Sequence, residues 1–424
     1  MELQPPRGTV DLLPPDSEAM LGLYDAAHRI ARLYGFRYVE TPTFEHTELF
    51  ARTSGESSDV VTKEMYTFED KGGRSLTLRP EQTASVVRAS LAHAQELPTP
   101  FKAYYVAQQF RHGRPQAGRL REFRQFGIET IGVGAPAADV EIMAVGDRYL
   151  RGRGLGELEL RVNSIGDAEC RPAYRELLIA HLEPHQEDLD EDCRVRLRTN
   201  PLRVFDCKVD GPTPLVREAP AISDHLCQAC AEHFAAVRNE LDELEIAFTH
   251  DPRLVRGLDY YTRTAFEFVS GALSQAQATV CGGGRYDGLA EVLGGAPTPG
   301  VGFALGLDRT LVALDAEGAE RLGERAVACF VVAIGNDAAE VGRRIVKDLR
   351  TAGIPAETAY EERPLKAQLK MADRTGAAYA VIIGEREVSS GVATLRRLSD
   401  GEQDEVPVED VVNWLSRTDW AAER

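Results

Sequence analysis

Residues 108–132 read QQFRHGRPQAGRLREFRQFGIETIG. Two runs of strand-like alternation, KAYYVAQQFRH before and REFRQFGIETIG after, flank a loop with Gly113, Pro115 and Gly118. That pattern predicts a long antiparallel hairpin. The stretch holds five arginines, Arg111, Arg114, Arg119, Arg121 and Arg124, against the two acids Glu122 and Glu129. Guanidinium forks suit bidentate capture of phosphate or carboxylate. The local charge inversion therefore points to a phosphorylated ligand or a nucleic-acid end, with a solvated basic hairpin as the plainer alternative.

The setting sharpens the contrast. The 424-residue chain carries a net charge of −18, which argues against a general nucleic-acid coat and confines any polyanion site to a patch. Its length allows two or three domains and a sizeable core. The first residues, MELQPPRGTVDLLPPDS, contain no apolar run of signal-peptide type, and no uncharged apolar run approaches membrane-spanning length. Seven scattered cysteines suit a reducing compartment, so a cytoplasmic protein without membrane partners is expected.

Upstream of the hairpin, Met20, Leu23, Tyr24, Ala27, Ile30 and Ala31 follow helical spacing from Asp16 to about Tyr34, where Gly35 ends the helix. FRYVETPTFE then reads as a strand broken at Pro42. EMYTFED and RSLTLRPE predict a second hairpin, turned at Gly72-Gly73. A helix is expected after Pro80 with Glu81 in its first turn. A carboxylate there could recognise an ammonium group or merely complement the helix dipole.

Downstream, a helix is read over 136–155 and a strand in ELELRVNSIGD. Residues 168–248 then turn helical and acidic, as an insertion between two halves of one sheet. Strand-like alternation resumes in FTHDPRLVRGLDYYTRTAFEFVSG. After the charged linker AEGAERLGERA, strands and helices alternate to the C-terminus, which implies a separate small α/β domain.

Nucleotide binding of the familiar kinds is excluded. No GxxxxGK motif occurs, and CGGGRYDG lacks the dinucleotide-binding spacing. Three segments together carry the stronger signal: the strand region around Pro42, FRHGRPQAGRLREFRQFGIETIG, and GVGFALGLDRTL. They resemble motifs 1, 2 and 3 of the class II aminoacyl-tRNA synthetases. RGLDYYTRTAFEF (256–268) and GGGRYDGL (282–289) are further similar to signatures of the histidyl-tRNA synthetase family, and LTLRPEQTAS, LRVNSIGD and YAVIIGE extend the resemblance over almost the whole chain.

The resemblance implies an α+β catalytic domain on an antiparallel sheet over residues 1–325, with a helical insertion at about 168–248, and an α/β anticodon-binding domain over 326–424. It implies a histidine–tRNA ligase that forms histidyl-adenylate from L-histidine and ATP and then charges histidine tRNA. Arg111, Arg256 and Arg309 would be catalytic and would hold ATP, with Mg²⁺ on its β- and γ-phosphates. Fixed guanidinium groups can stabilise charge developing on the α-phosphate without reorganising. Arg256 would act as electrophile where related enzymes use a metal. Histidine would be held by Glu81, Thr83, Arg111, Gln125, Glu129, Arg256, Tyr260, Tyr261 and Tyr286. Buried partners fixed for the imidazole's donor and acceptor reject isosteres that cannot match them.

Arg114, Gln116, Arg119 and Arg121 would read the tRNA acceptor stem, and Lys366, Lys370 and Arg386 are candidates for RNA contact in the C-terminal domain. Motif 1 implies a homodimer. Cys193, Cys207, Cys227 and Cys230 could close around one zinc, since Cys227-Gln-Ala-Cys230 has metal-knuckle spacing; small buried cysteines are the alternative. Two rival readings come with the resemblance. One is the non-catalytic paralogue that regulates ATP phosphoribosyltransferase, which typically loses the C-terminal domain and much of RGLDYY. The other is a class II synthetase for threonine, proline or glycine, which the histidine-type signatures disfavour.

Overall fold

The computed structural model describes residues 3–54, 64–115, 118–274, 277–319, 327–418 and 420. Contacts divide the chain into two compact units, Met1–Leu12 with Leu23–Leu322, and Leu13–Gly22 with Gly323–Arg424.

Helix α1 (Asp16–Leu33) leads into β1 (Arg37–Tyr38) and β2 (Phe44–His46), separated around Pro42 as a residue without an N–H requires. Next come α2 (Thr47–Ser54) and the hairpin of β3 (Tyr66–Glu69) and β4 (Ser75–Leu78), turned where Gly73 takes φ +74°. Helix α3 (Thr83–Ala92) begins two residues later than the sequence suggests, so Glu81 precedes its first turn. The arginine hairpin consists of β5 (Phe101–Phe110) and β6 (Glu122–Ile131), paired antiparallel over their full ten residues. Helix α4 (Pro136–Gly152), β7 (Leu158–Ser164), the helices α5 (Arg171–Leu182), α6 (Glu191–Thr199), α7 (Pro214–Arg217) and α8 (Gln228–Glu243), and β8 (Thr249–His250) follow. Strands β9 (Thr262–Ser270) and β10 (Thr279–Arg285), helix α9 (Leu289–Val292), strand β11 (Gly300–Gly306) and helix α10 (Leu307–Glu317) complete the catalytic sequence motifs.

One eight-stranded sheet runs in the order β1-β5-β6-β11-β10-β9-β7-β8. Its six central strands are antiparallel, and only the two-residue strands at each edge pair parallel. Such short edges leave little unpaired backbone for a foreign strand. Behind the sheet Phe126 meets Phe303 and Tyr149 with ring centroids 5.5 and 5.1 Å apart. Helices α5–α7 and the turns between them gather their own apolar cluster around Tyr174, Leu178, Leu182, Leu197 and Val204, while α8 packs on α4.

The smaller unit holds β12 (Cys329–Ala333), α11 (Asn336–Thr351), β13 (Ala356–Thr358), α12 (Leu365–Arg374), β14 (Tyr379–Ile383), α13 (Glu385–Ser390), β15 (Val392–Arg397), β16 (Gln403–Pro407) and α14 (Val411–Arg417). The sheet order is β13-β12-β14-β15-β16. Alternation along β12 sends Cys329 and Val331 towards Ile345 and Leu349, and Phe330 and Val332 towards Ala372, so both faces are covered. Strand β16 and helix α13 have no counterpart in the sequence reading. QDEVP carries three exposed polar residues in a row and so lacks a two-residue apolar rhythm.

A buried ion pair ties α4 to the sheet. Arg285 and Asp139 are both fully buried, and Asp139 also accepts from His233 Nε2 at 3.3 Å. Burial opposes ionisation of Asp139, but the His233 and Arg285 partners outweigh it and hold the carboxyl below its ordinary value. Removing one partner strands the other without water. Asp139→Ala is expected to lower unfolding stability by about 3–5 kcal/mol in chemical denaturation, and the double variant Asp139→Leu/Arg285→Met by clearly less.

Candidate active site

Glu129 sits on β6 opposite Gly302 of β11. A side chain at Gly302 would place its Cβ 1.9 Å from Glu129 Oε2, so only glycine leaves room for the carboxyl. Thr83 donates its hydroxyl to Glu129 Oε1 at 2.7 Å, and Tyr286 donates to Oε2. Tyr286 in turn needs Gly300, whose Cβ would stand 2.2 Å from its ring. Burial pushes Glu129 up to about 8, outweighing the two hydroxyl donors. Strand order thus buries an acid with fixed neighbours in the core of the sheet.

Glu81 lies at the junction of β4 and α3. One carboxylate oxygen accepts from the Ala84 N–H at 3.0 Å, while the other, Oε2, is buried without a partner. Burial raises its pKa. The residue thus accepts from the first turn of α3 and also holds a buried acceptor that nothing in the chain fills. Such an acceptor costs free energy until something donates to it.

Three arginines face it from different elements. Arg111, just after β5, donates Nε to the Pro80 carbonyl at 2.8 Å and lies over Phe123 at 5.3 Å. Arg256 pairs with Glu267 of β9, and its Nε is buried without a partner. Its guanidinium occupies the space where Gly282, directly across from Glu267, lacks a side chain; a Cβ there would lie 2.3 Å from Nη2. Arg309, in the first turn of α10, donates to the Thr279 carbonyl at 2.7 Å. Burial lowers the pKa of Arg111 and of Arg309, yet arginine keeps its charge across the physiological range. Glu267 has its other oxygen on Thr279 Oγ1 at 2.9 Å, so each oxygen of this carboxylate has a partner, Arg256 on one and Thr279 on the other.

A cavity of about 210 Å³ is bordered by Glu81, Thr83, Arg111, Gln125, Arg256, Tyr260, Tyr261 and Arg309, eight of the residues expected from sequence. Gln125 Oε1 is a further buried acceptor without a partner. Glu129 and Tyr286 do not border this cavity; they stand behind it, joined to it through Thr83. A neighbouring cavity of about 600 Å³ shares Arg111, Gly118, Phe123 and Arg309 and extends past Arg119 to α6 and the segment after it.

The hairpin loop is less uniform than its arginines suggest. Arg114 is exposed. Arg119 pairs with Glu64 at 2.6 Å, and Arg121 donates to the backbone carbonyls of Arg7 and Gly113 at 3.3 and 3.4 Å. Gln116 lies outside the described residues. In the smaller unit Arg386 pairs with Glu405, while Lys366 and Lys370 are exposed on α12.

Sequence reasoning missed Glu267, Thr279 and Asp308. Asp308 accepts from both the backbone and the guanidinium of Arg124, at 2.6 and 2.9 Å, and so locks motif 3 to motif 2. For Glu267 a signal existed: it is the lone acid of its strand and stands between Phe266 and Phe268. The expected four-cysteine site is corrected. Cys193 and Cys207 gather with Asp190 and Asp210, whereas Cys227 and Cys230 gather with Asp167 and Cys170. Cys193 lies in the first turn of α6 and Cys207 beyond its end, whereas Cys227 and Cys230 open α8, so the fold brings each pair to different partners.

Glu129 makes stability depend on pH. Between the ordinary carboxyl value of 4.5 and about 8, the folded chain keeps a proton that the unfolded chain releases. Unfolding free energy therefore falls as pH rises through that window and levels off above it. Glu129→Gln is expected to remove this part of the slope, measured as the difference between the two proteins' denaturation curves from pH 5 to 9.

Comparison with known proteins agrees with this geometry. A family model for histidyl-tRNA synthetase matches residues 8–310, and one for an anticodon binding domain matches residues 328–418. The chain is 49% identical over 413 residues to a histidine–tRNA ligase of Moorella thermoacetica, covering 97% of each. Among solved structures it is similar to the apo histidyl-tRNA synthetase of S. aureus, with a TM-score of 0.80 and 37% identity over 98% of this chain and all of that one. A structure from Bacillus halodurans C described as an ATP phosphoribosyltransferase regulatory subunit/histidyl-tRNA synthetase shares the fold, at a TM-score of 0.64 and 20% identity over 91% of this chain and 99% of that one. A glycine-lined sheet that sets Arg111 and Arg309 around one cavity, together with these matches along nearly its full length, means that the chain belongs to the histidyl-tRNA synthetase family.

Proposed function

We infer that the protein is a histidine–tRNA ligase: it activates L-histidine with ATP to histidyl-adenylate, releasing diphosphate, and then passes histidine to the 3′ end of histidine tRNA. The observation that carries this reading is the single cavity bordered by Arg111, Arg256 and Arg309 on one side and by the unpartnered acceptors of Glu81 and Gln125 on the other. Cationic groups there suit phosphate and carboxylate, and the buried acceptors suit an ammonium group.

In this reading Glu81 Oε2 and Gln125 Oε1 accept from the α-amino group. The Thr83–Glu129–Tyr286 set, with Tyr260 and Tyr261 on the wall, reads the imidazole. The histidine carboxylate attacks the α-phosphorus, a bond from carboxylate oxygen to phosphorus forms, and the bond to the bridging oxygen of diphosphate breaks. No enzyme nucleophile is needed, so positioning and charge stabilisation carry the rate. Arg111 and Arg256 lie to meet charge on the α-phosphate, and Arg309 lies beside the nucleotide. Arg256 pairs with Glu267 and so is held in place before the substrate arrives. Mg²⁺ would ride on the β- and γ-phosphates and screen their charge.

Residues 1–325 would form the catalytic domain, 168–248 its insertion and 326–424 the anticodon-binding domain. The larger cavity beside the hairpin loop is where the tRNA 3′ end would approach, with Arg114, Gln116, Arg119 and Arg121 towards the acceptor stem. Arg119 would exchange Glu64 for a phosphate on binding, a trade between two oxyanions that needs little change of geometry. Its substrates meet in the cytoplasm, and we place the enzyme there as a homodimer formed through the motif 1 region.

ATP–pyrophosphate exchange with each of the twenty amino acids tests the reading. Exchange is expected with histidine alone. Arg256→Ala should lower the exchange kcat about 10²–10³-fold, the range for loss of one fixed charge-stabilising donor, while Arg256→Lys keeps part of it. A folded, ATP-binding chain that exchanges with no amino acid would overturn it in favour of the regulatory paralogue.

A further inference from the structure

The pairing of cysteines that the fold enforces creates a site unlike the one expected from sequence. Asp167, Cys170, Cys227 and Cys230 each offer one ligand atom, and these atoms all lie within 4.8 Å of one another. The spacing is Asp-x₂-Cys at the end of β7 and Cys-x₂-Cys at the start of α8, two knuckles facing each other across the base of the helical segment. Cys170 Sγ stands 3.8 Å from Cys230 Sγ and 3.6 Å from Asp167 Oδ1, and Cys227 Sγ stands 3.9 Å from the same oxygen. A tetrahedral zinc with bonds of about 2.3 Å to sulfur and 2.0–2.2 Å to oxygen sets edges of about 3.8 Å between sulfurs and about 3.5 Å between sulfur and oxygen. These three of the six edges fall within a few tenths of an ångström of those values.

The surroundings match what a thiolate-bound cation needs. The Asp167 N–H donates to Cys170 Sγ at 3.3 Å, the kind of outer hydrogen bond that orients a metal ligand. Gly166 takes φ +64°, and a Cβ there would lie 2.6 Å from Cys170 Sγ, so the turn closes on the sulfur only with glycine. Cys170 and Cys227 occupy the N-terminal caps of α5 and α8, so each sulfur is placed by the start of a helix. Arg263 holds the other oxygen of Asp167 at 3.2 Å and offsets negative charge. Cys170 and Cys230 are buried, so the site is closed to bulk water.

We propose that Asp167, Cys170, Cys227 and Cys230 form a structural zinc site. It pins the start of α5 to the start of α8 and closes the helical segment at its neck. The site also reaches the cavity. Arg171, next to Cys170, donates to the backbone carbonyls of Ile165 at 3.0 Å and of Tyr261, and Tyr261 borders the smaller cavity. The Asp190, Cys193, Cys207 and Asp210 group differs. Cys207 Sγ lies 3.0 Å from Asp190 Oδ2, a thiol hydrogen bond shorter than a metal-bridged edge, and Asp190 caps α6 by accepting from Cys193 N at 2.6 Å. Capping and a thiol donor account for that group without an ion.

The full-length protein, produced with zinc in the medium and dialysed against a weak chelator, should retain one zinc per chain by mass spectrometry of the metal. Cys170→Ser, Cys227→Ser and Cys230→Ser are expected to lose it, and Cys193→Ser to keep it. Should the cysteine variants fail to fold, cobalt exchanged into the wild-type chain gives an independent readout: a thiolate-to-cobalt charge-transfer band with tetrahedral ligand-field absorption is expected. Any of three results would overturn the proposal: no retained zinc and no such band, a Cys170–Cys230 disulfide in peptide maps of the purified protein, or zinc lost from Cys193→Ser but kept in Cys227→Ser.

Discussion

The carboxyl of Glu129, buried between the hydroxyls of Thr83 and Tyr286 and pressed against a backbone that carries no side chain, sets the terms for much of the surrounding structure. Space for it exists because β11 presents Gly302, and space for Tyr286 because the same strand presents Gly300. Close approach of backbone to side chain requires the strands to stay in register, since a slip of one residue would bring Val301 or Phe303 opposite Glu129. The register is secured at the far end of β6, where Asp308 binds both the backbone and the side chain of Arg124. Packing, register and recognition are therefore one constraint.

The same device serves the charged half of the site. Arg256 would have no room if Gly282 carried a Cβ, and its guanidinium would have no anchor without Glu267 directly across the ladder. A long cation held by a short anion on a strand is rigid, and rigidity is what allows a charge to stabilise a transition state without first reorganising. Partnerless buried atoms at Glu81, Gln125 and Arg256 are the counterpart. Each is a polar atom taken from water without a replacement partner, which costs free energy in the folded chain.

Helix α8 lies along α4, where His233 reaches Asp139, and the helical segment also joins this region at its base. The Asp167–Cys170 turn and the Cys227–Cys230 turn meet there, and Arg171 connects the first of them to the backbone of Tyr261. Whatever fixes the neck of the helical segment thereby also fixes one wall of the cavity. The arrangement places the segment's α6 region against the larger cavity beside Arg119 and Arg309 while leaving its own apolar cluster independent of the sheet.

Much of this was legible in the amino-acid sequence alone. Two-residue alternation on both sides of the arginine loop specified the β5–β6 hairpin, because a strand that is half buried writes its period into the chain. Pro42, Gly73 and the apolar rhythm of α1 and β12 marked breaks, turns and elements for equally local reasons. The arginines and the glycine-rich segments carried the site's chemistry, since charge and the lack of a Cβ are properties of single residues. Pairing between distant residues was not written there. Cys227 and Cys230 could be seen to form a knuckle, but that Asp167 and Cys170 face them, while Cys193 and Cys207 turn to Asp190 and Asp210, depends on where helices separated by dozens of residues come to rest. Glu267 beneath Arg256, Asp308 on Arg124 and the second role of Glu81 share that origin: each is set by a crossing of strands or a helix start, and only burial in the folded chain decides which polar atom finds a partner and which is left for a ligand.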